Sequence, residues 1–249
     1  MSSRNLTANS SKTDLSKSSS ASEPVIALAH VSRTFGSFAA LRDVTAEFHA
    51  RKMYVVLGEN GAGKTTLLRA IAGLMRPTRG TIKVLGTPDL QTAKARIGYM
   101  AHASLLYDEM SALENLRYFA ALYSIHDDLR CTQVIETVGL NPSLLRRVGQ
   151  YSQGMRQRLS LARALVHDPE ILLLDEPFSN VDVVSMREMV RVLAQMRDNG
   201  KTVLIVTHQA ALLDGVADEF IYMAAGKIAG RSRELATIAK CADFYGESF

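Results

Sequence analysis

No stretch restricts the fold of this chain more than Gly58-Glu59-Asn60-Gly61-Ala62-Gly63-Lys64-Thr65. Its glycines let the backbone curl until successive N–H groups face inward, a conformation that a Cβ resists. The apolar run Tyr54 to Leu57 leads straight into the first glycine and reads as a short buried strand. Thr65 to Leu74 reads as a helix that opens out of the loop. Strand, glycine loop and helix N-terminus in that order form an anion cradle, and the complete pattern G-x-x-x-x-G-K-[ST] specifies phosphate. In such a cradle Gly58 to Gly63 turn backbone N–H groups to the ligand. Lys64 reaches the β- and γ-phosphates, Thr65 ligates Mg²⁺, and Thr66 stands beside it at the helix start.

A phosphate loop needs carboxylates opposite it, and Ile171-Leu172-Leu173-Leu174-Asp175-Glu176 supplies them at the end of a second apolar strand. Asp175 is the candidate for holding Mg²⁺, directly or through water. Glu176 is the candidate for orienting and polarising an attacking water.

Around these two motifs, strands alternate with helical patterns. Val25 to His30, Ile97 to Met100 and Thr202 to Val206 read as strands. Helices are expected over Ala112 to Tyr123, where Ser111 and Glu114 form an S-x-x-E capping box. Others are expected near Cys131 to Val138, over Gln153 to Val166 and over Val183 to Asp198. The alternation indicates an α/β fold with a largely parallel sheet. The mostly helical stretch at about 102–165 reads as a subdomain inserted into it. Residues 1–23 are Ser-rich and nearly free of large apolar groups, the composition of a disordered tail.

Composition excludes several classes. The longest apolar runs fall far short of the roughly 20 residues that span a bilayer. A formal net charge of +4 does not argue for nucleic acid. Cys131 and Cys241 belong to no metal-ligand pattern, and His30, His49, His126 and His167 show no ligand spacing.

Further motifs carry a resemblance. Tyr151-Ser152-Gln153-Gly154-Met155-Arg156-Gln157-Arg158, just upstream of Asp175, resembles the signature of ABC ATPase domains. Ser179-Asn180-Val181-Asp182 resembles their D-loop, His208 their switch histidine, and Phe35 the aromatic residue that stacks on adenine. The resemblance spans about residues 25–230. It implies a phosphate-loop NTPase (RecA-like) mixed sheet flanked by helices, with an antiparallel β subdomain and the inserted helical subdomain. The ATPase domain would cover 24–230 and a helical extension 231–249. It also implies ATP and Mg²⁺ as cofactors, with Lys64, Glu176 and His208 serving hydrolysis. Ser152, Gln153, Gly154 and Asp182 would contact ATP held by a second copy in a head-to-tail homodimer. A permease on separate chains would be the membrane partner, at the cytoplasmic face of the cell membrane, with no nucleic acid involved.

The sequence departs from the family pattern at two places. Members usually carry Gln where this chain has His102, which is expected to keep that residue's relay role and to meet the metal weakly or through water. In the signature, Tyr151, Gln153 and Met155 replace the usual Leu, Gly and Gln, while Ser152 and Gly154 remain. The run from Tyr99 to Tyr107, followed by Ser111 to Leu116 and Leu122-Tyr123, is similar to the haem-exporter ATPases of cytochrome c maturation. The Ser-Gln-Gly-Met-Arg-Gln-Arg form of the signature is shared with ABC-2 type drug, polysaccharide and lipid exporters.

Overall fold

The structure, a computed structural model, describes residues 23–244. The tail expected over 1–23 lies, except for its last residue, outside the described residues. In chain order, β1 (Ile26–Phe35), β2 (Phe38–Phe48) and β3 (Met53–Leu57) lead into α1 (Lys64–Ile71). Then come β4 (Arg79–Val84), α2 (Leu90–Ala93), β5 (Ile97–Met100), α3 (Ala112–Ala121), α4 (Asp128–Thr137) and α5 (Gln153–Leu165). The chain continues through β6 (Ile171–Asp175), α6 (Val183–Asp198), β7 (Thr202–Val206), β8 (Glu219–Ala224), β9 (Lys227–Ser232) and α7 (Leu235–Phe244).

Every residue of β3, β6 and β7 is buried. Such unbroken apolar runs suit central parallel strands covered on both faces. The large sheet runs β5-β6-β7-β3-β8-β9, parallel up to β8, with β9 antiparallel at the edge. One buried cluster uses side chains of one face, Val55, Leu172, Leu174, Val203 and Ile205, and the other uses Tyr54, Val56, Leu173, Leu204 and Val206. A separate antiparallel sheet, β2-β1-β4, closes over the second cluster with Ile26, Leu41, Val44 and Phe48.

The expected α/β architecture is present, and its differences from the sequence reading have local causes. The strand read as Val25 to His30 continues to Phe35 through register shifts, and His30 sits at φ 53° inside it. The helix read to Leu74 stops at Ile71, because Gly73 turns left-handed at φ +67°. The helix read to Tyr123 ends at Ala121, ahead of Ser124 at φ 59°. The one read from Cys131 begins at Asp128, where Asp127 caps it, and the one read to Val166 ends at Leu165. Strands β2, β4, β8 and β9 are absent from the sequence reading.

Helices α3, α4 and α5 pack through Leu116, Ala120, Val134, Ile135, Leu159 and Ala162. At the start of α3 the capping box forms as expected. Glu114 N–H donates to Ser111 Oγ at 3.3 Å, and Ser111 N–H donates to Glu114 Oε2 at 2.8 Å. Ser111→Ala should therefore cost about 1 kcal/mol, read as a lower urea midpoint with an unchanged slope.

His167 follows α5 and lies flat on Tyr123, with ring centroids 4.0 Å apart. Its Nε2–H donates to Ile97 O at 3.0 Å, while Nδ1 is buried without a partner. Burial pushes its pKa down. A lowered native pKa means that the unfolded chain takes up the proton first. The stability that neutral His167 allows is complete above the unfolded pKa of about 6.5 and is lost as pH falls below it. The urea midpoint should drop between pH 7.5 and pH 5.5, and His167→Phe, which keeps the stack, should shrink that drop.

Candidate active site

The site forms where the parallel strands end. Asp175 of β6 and Val56 of β3 both pair with Val206 of β7, so the chain leaves all three strands at one sheet edge. The phosphate loop follows β3, Glu176 follows Asp175, and His208 follows β7. There they enclose a cavity of about 470 Å³, which Asn60, Gly61, Gly63, Lys64, Thr65 and Thr66 line from the loop side. His102, Asp175, Glu176 and His208 line it from the strand ends.

The loop is glycine-dependent at two places for reasons of space. A Cβ on Gly58, at φ +136°, would lie 2.0 Å from Met223 O, and one on Gly63, at φ +100°, would lie 2.3 Å from Ala40 O. Gly61 is also left-handed, at φ +86°, but nothing lies within 4 Å of its Cβ position. Ala62 N–H donates to Glu59 O at 3.1 Å, which closes the turn. The Lys64 ammonium folds back over the loop and donates to Gly58 O and to Glu59 O, the latter at 2.8 Å.

Thr65 Oγ1 donates to Asp175 Oδ1 at 2.9 Å. Asp175 is almost wholly buried, and its Oδ2 has no hydrogen-bond partner. Burial raises its pKa, while the Thr65 hydroxyl and the charges of Arg69, His102 and Lys64 oppose the rise. A hydroxyl beside an unsatisfied, buried carboxylate oxygen is the donor set that a hard divalent cation fits. Among the described residues no three His, Cys, Asp or Glu side chains gather around one point as a metal cage. A cation here would need further ligands, part of which bound phosphate and water can supply.

Glu176 occupies a left-handed backbone position, φ 54°, and its N–H donates to Val206 O at 2.8 Å. The carboxylate accepts the His208 backbone N–H at 3.3 Å and lies 3.4 Å from His208 Nε2. Burial raises its pKa, against the opposing charge of His208. A carboxylate tuned upward and aimed into a phosphate cavity is suited to accept a proton from water.

Other expected site residues lie elsewhere. Phe35 does not line the cavity. It sits 44% exposed at the β1–β2 turn with the Arg33 guanidinium 4.7 Å from its ring centroid. Phe38, across that turn, lines the cavity together with Ser179 of the D-loop motif, and the sequence reading missed Phe38. An aromatic pair flanking a Gly-Ser turn just ahead of the loop strand was the available signal for Phe38. Ser152 caps α5, accepting the Met155 N–H at 3.3 Å. A Cβ on Gly154 would lie 3.2 Å from Ser185 Oγ, so this glycine lets α5 start close against α6. The Asp182 carboxylate accepts the Ser185 N–H at 2.9 Å and caps α6. Ser152, Gln153 and Asp182 thus form an exposed surface outside the cavity, with Gly154 buried just behind it.

A family profile described as ABC transporter matches residues 41–179, from the first half of β2 through the loop and the signature to Ser179. The chain belongs to the ABC transporter family. It is an ATP-binding subunit of that family and an ATP hydrolase. This ABC protein is 37% identical over 196 residues to the ABC transporter ATP-binding protein NatA of Bacillus subtilis, an alignment covering 76% of this chain and 80% of NatA. It is 33% identical over 208 residues to the bacitracin transport ATP-binding protein BcrA of Bacillus licheniformis, covering 82% of this chain and 68% of BcrA. The fold matches the dimeric structure of the bacterial ABC transporter cassette MJ0796 with a TM-score of 0.77 at 25% identity, over 83% of this chain and 97% of that one. No helix among the described residues is long and apolar enough to cross a membrane.

Proposed function

We propose that this ABC protein powers export through a separate membrane permease, hydrolysing Mg²⁺-ATP in a head-to-tail dimer at the cytoplasmic face of the membrane. The observation that carries the dimer is a division of labour within one chain. The cavity holds the loop, Asp175, Glu176 and His208, whereas Ser152, Gln153 and Gly154 at the start of α5 lie outside it. The Ser152 cap uses the Met155 N–H and leaves those of Gln153 and Gly154 to the helix N-terminus, which favours an anion. A second copy turned head to tail would set this terminus on the γ-phosphate. In this reading Lys64 neutralises the phosphates, Thr65 and Asp175 hold Mg²⁺, Glu176 orients the water and His208 bears on the transferred group. Phe38 or Phe35 would meet the base, Asp182 would face the opposite subunit, and His102 would pass nucleotide state toward the permease. ATP then closes the pair and hydrolysis opens it.

Two cargo readings rest on different observations. The residues from Tyr99 to Tyr123 support haem export for cytochrome c maturation. The likeness to the bacitracin transport protein supports an ABC-2 type exporter of drugs, polysaccharides or lipids. A haem stain of membranes from cells lacking the gene separates them, with wild-type and Lys64→Ala complementation. Loss of c-type cytochromes restored only by wild type supports haem. Their persistence removes it and leaves the second reading, to be pursued through the permease that co-purifies with the protein.

A further inference from the structure

Most polar side chains lining the cavity already have protein partners. The Lys64 ammonium is held by loop carbonyls, Thr65 by Asp175, and Glu176 by His208. His102 differs. It lines the same cavity, its charge acts on Asp175, and its ring nitrogens make no hydrogen bond or ion pair to any described residue. Asp175 lines the same cavity, and its buried Oδ2 has no partner. An unsatisfied buried carboxylate oxygen and an uncommitted imidazole thus border one space beside the Thr65 hydroxyl.

From this arrangement we infer that His102 ligates the divalent cation directly in the nucleotide-bound protein, and that its nitrogen shifts the site's preference from Mg²⁺ toward Mn²⁺. The inference rests on the loop–Asp175 reading of the site. Its chemistry is that of the donor atom. Mg²⁺ is small and hard, prefers oxygen and dehydrates reluctantly, so an imidazole in its shell adds little. Mn²⁺ and the later divalent ions accept imidazole nitrogen more readily. A site in which one oxygen donor is replaced by His102 therefore discriminates less strongly in favour of Mg²⁺. Because His102 is exposed and caps no element, its replacement by Gln should leave the fold intact.

The test loads wild-type protein and His102→Gln with Mn²⁺ and a non-hydrolysable ATP analogue, and reads the metal by pulsed EPR. Wild type should show a ¹⁴N coupling of the size given by a directly bound imidazole, and His102→Gln should lack it. The Mg²⁺ concentration that displaces half of the Mn²⁺ should fall about tenfold in the variant. Identical spectra and identical displacement in the two proteins would overturn the inference. In that case, if Mn²⁺ binding still depends on nucleotide and is lost in Thr65→Ala, the site reading stands without His102. If Mn²⁺ binding ignores nucleotide and survives Thr65→Ala, both fall.

Discussion

Glu176→Gln should reduce ATP turnover by a factor on the order of 10²–10⁴ while leaving ATP bound. The substitution keeps the side chain's volume, and the amide oxygen can still accept the His208 backbone N–H that Glu176 accepts at 3.3 Å. It removes the negative charge that would draw a proton from water. Burial raises the Glu176 pKa, so in the native state the ionised carboxylate is held at a cost. Gln removes that cost, and the melting temperature should hold or rise. Phosphate release, nucleotide binding and thermal melting on one sample separate the possibilities. A carboxylate that merely ends a strand would leave turnover unchanged, and a structural one would lower the melting temperature.

The second large effect lies in the loop. Gly58→Ala should lower stability by about 3 kcal/mol or more, and so the melting temperature by roughly 6–12 °C, at about 2–4 °C per kcal/mol for a chain of this size. The added Cβ would lie 2.0 Å from Met223 O, a backbone atom of β8, the strand hydrogen-bonded to β3. Neither strand can yield without breaking the ladder between them. Gly61→Ala introduces a similar left-handed strain, worth about 1–2 kcal/mol, but meets nothing within 4 Å. Its melting temperature should fall by only a few degrees. Equal losses in the two variants would show that strain in the loop, and not its seat against β8, sets the cost.

The part of the fold that was legible in the sequence is the part built from uninterrupted patterns. Ile171–Asp175 and Thr202–Val206 are strands buried at every position, and Val183–Asp198 is a long amphipathic helix. Each was read to the residue. What stayed illegible has broken periodicity. In β2, buried and exposed residues alternate irregularly, and Asp43 turns left-handed within the strand. β4 exposes Arg79, Gly80 and Thr81 before its apolar positions begin. β8 carried a clear signal, since Phe220 to Met223 is a buried apolar run that the reading passed over. In the site, the loop and the two carboxylates were readable because phosphate chemistry dictates their types and order. Phe38 had only the aromatic pair around the Gly-Ser turn as its signal, and which ring reaches the cavity wall is decided by the closing of β1 onto β2. Nor does sequence order reveal that Gly154 is held by Ser185, a contact between two helices that start close together.

The proposed mechanism stands on two copies closing over ATP, and the mass of Glu176→Gln in solution measures this directly by light scattering. The chain alone has a mass of 27.3 kDa. With saturating Mg²⁺-ATP the mass should double, and with Mg²⁺-ADP it should return to that of one chain. Gln153→Glu placed in the same background should suppress the doubling, since Gln153 is exposed at the start of α5, on the surface that would receive the second copy's phosphate, and the added charge repels that phosphate. A single-chain mass at saturating ATP, with nucleotide demonstrably bound, would contradict the head-to-tail site.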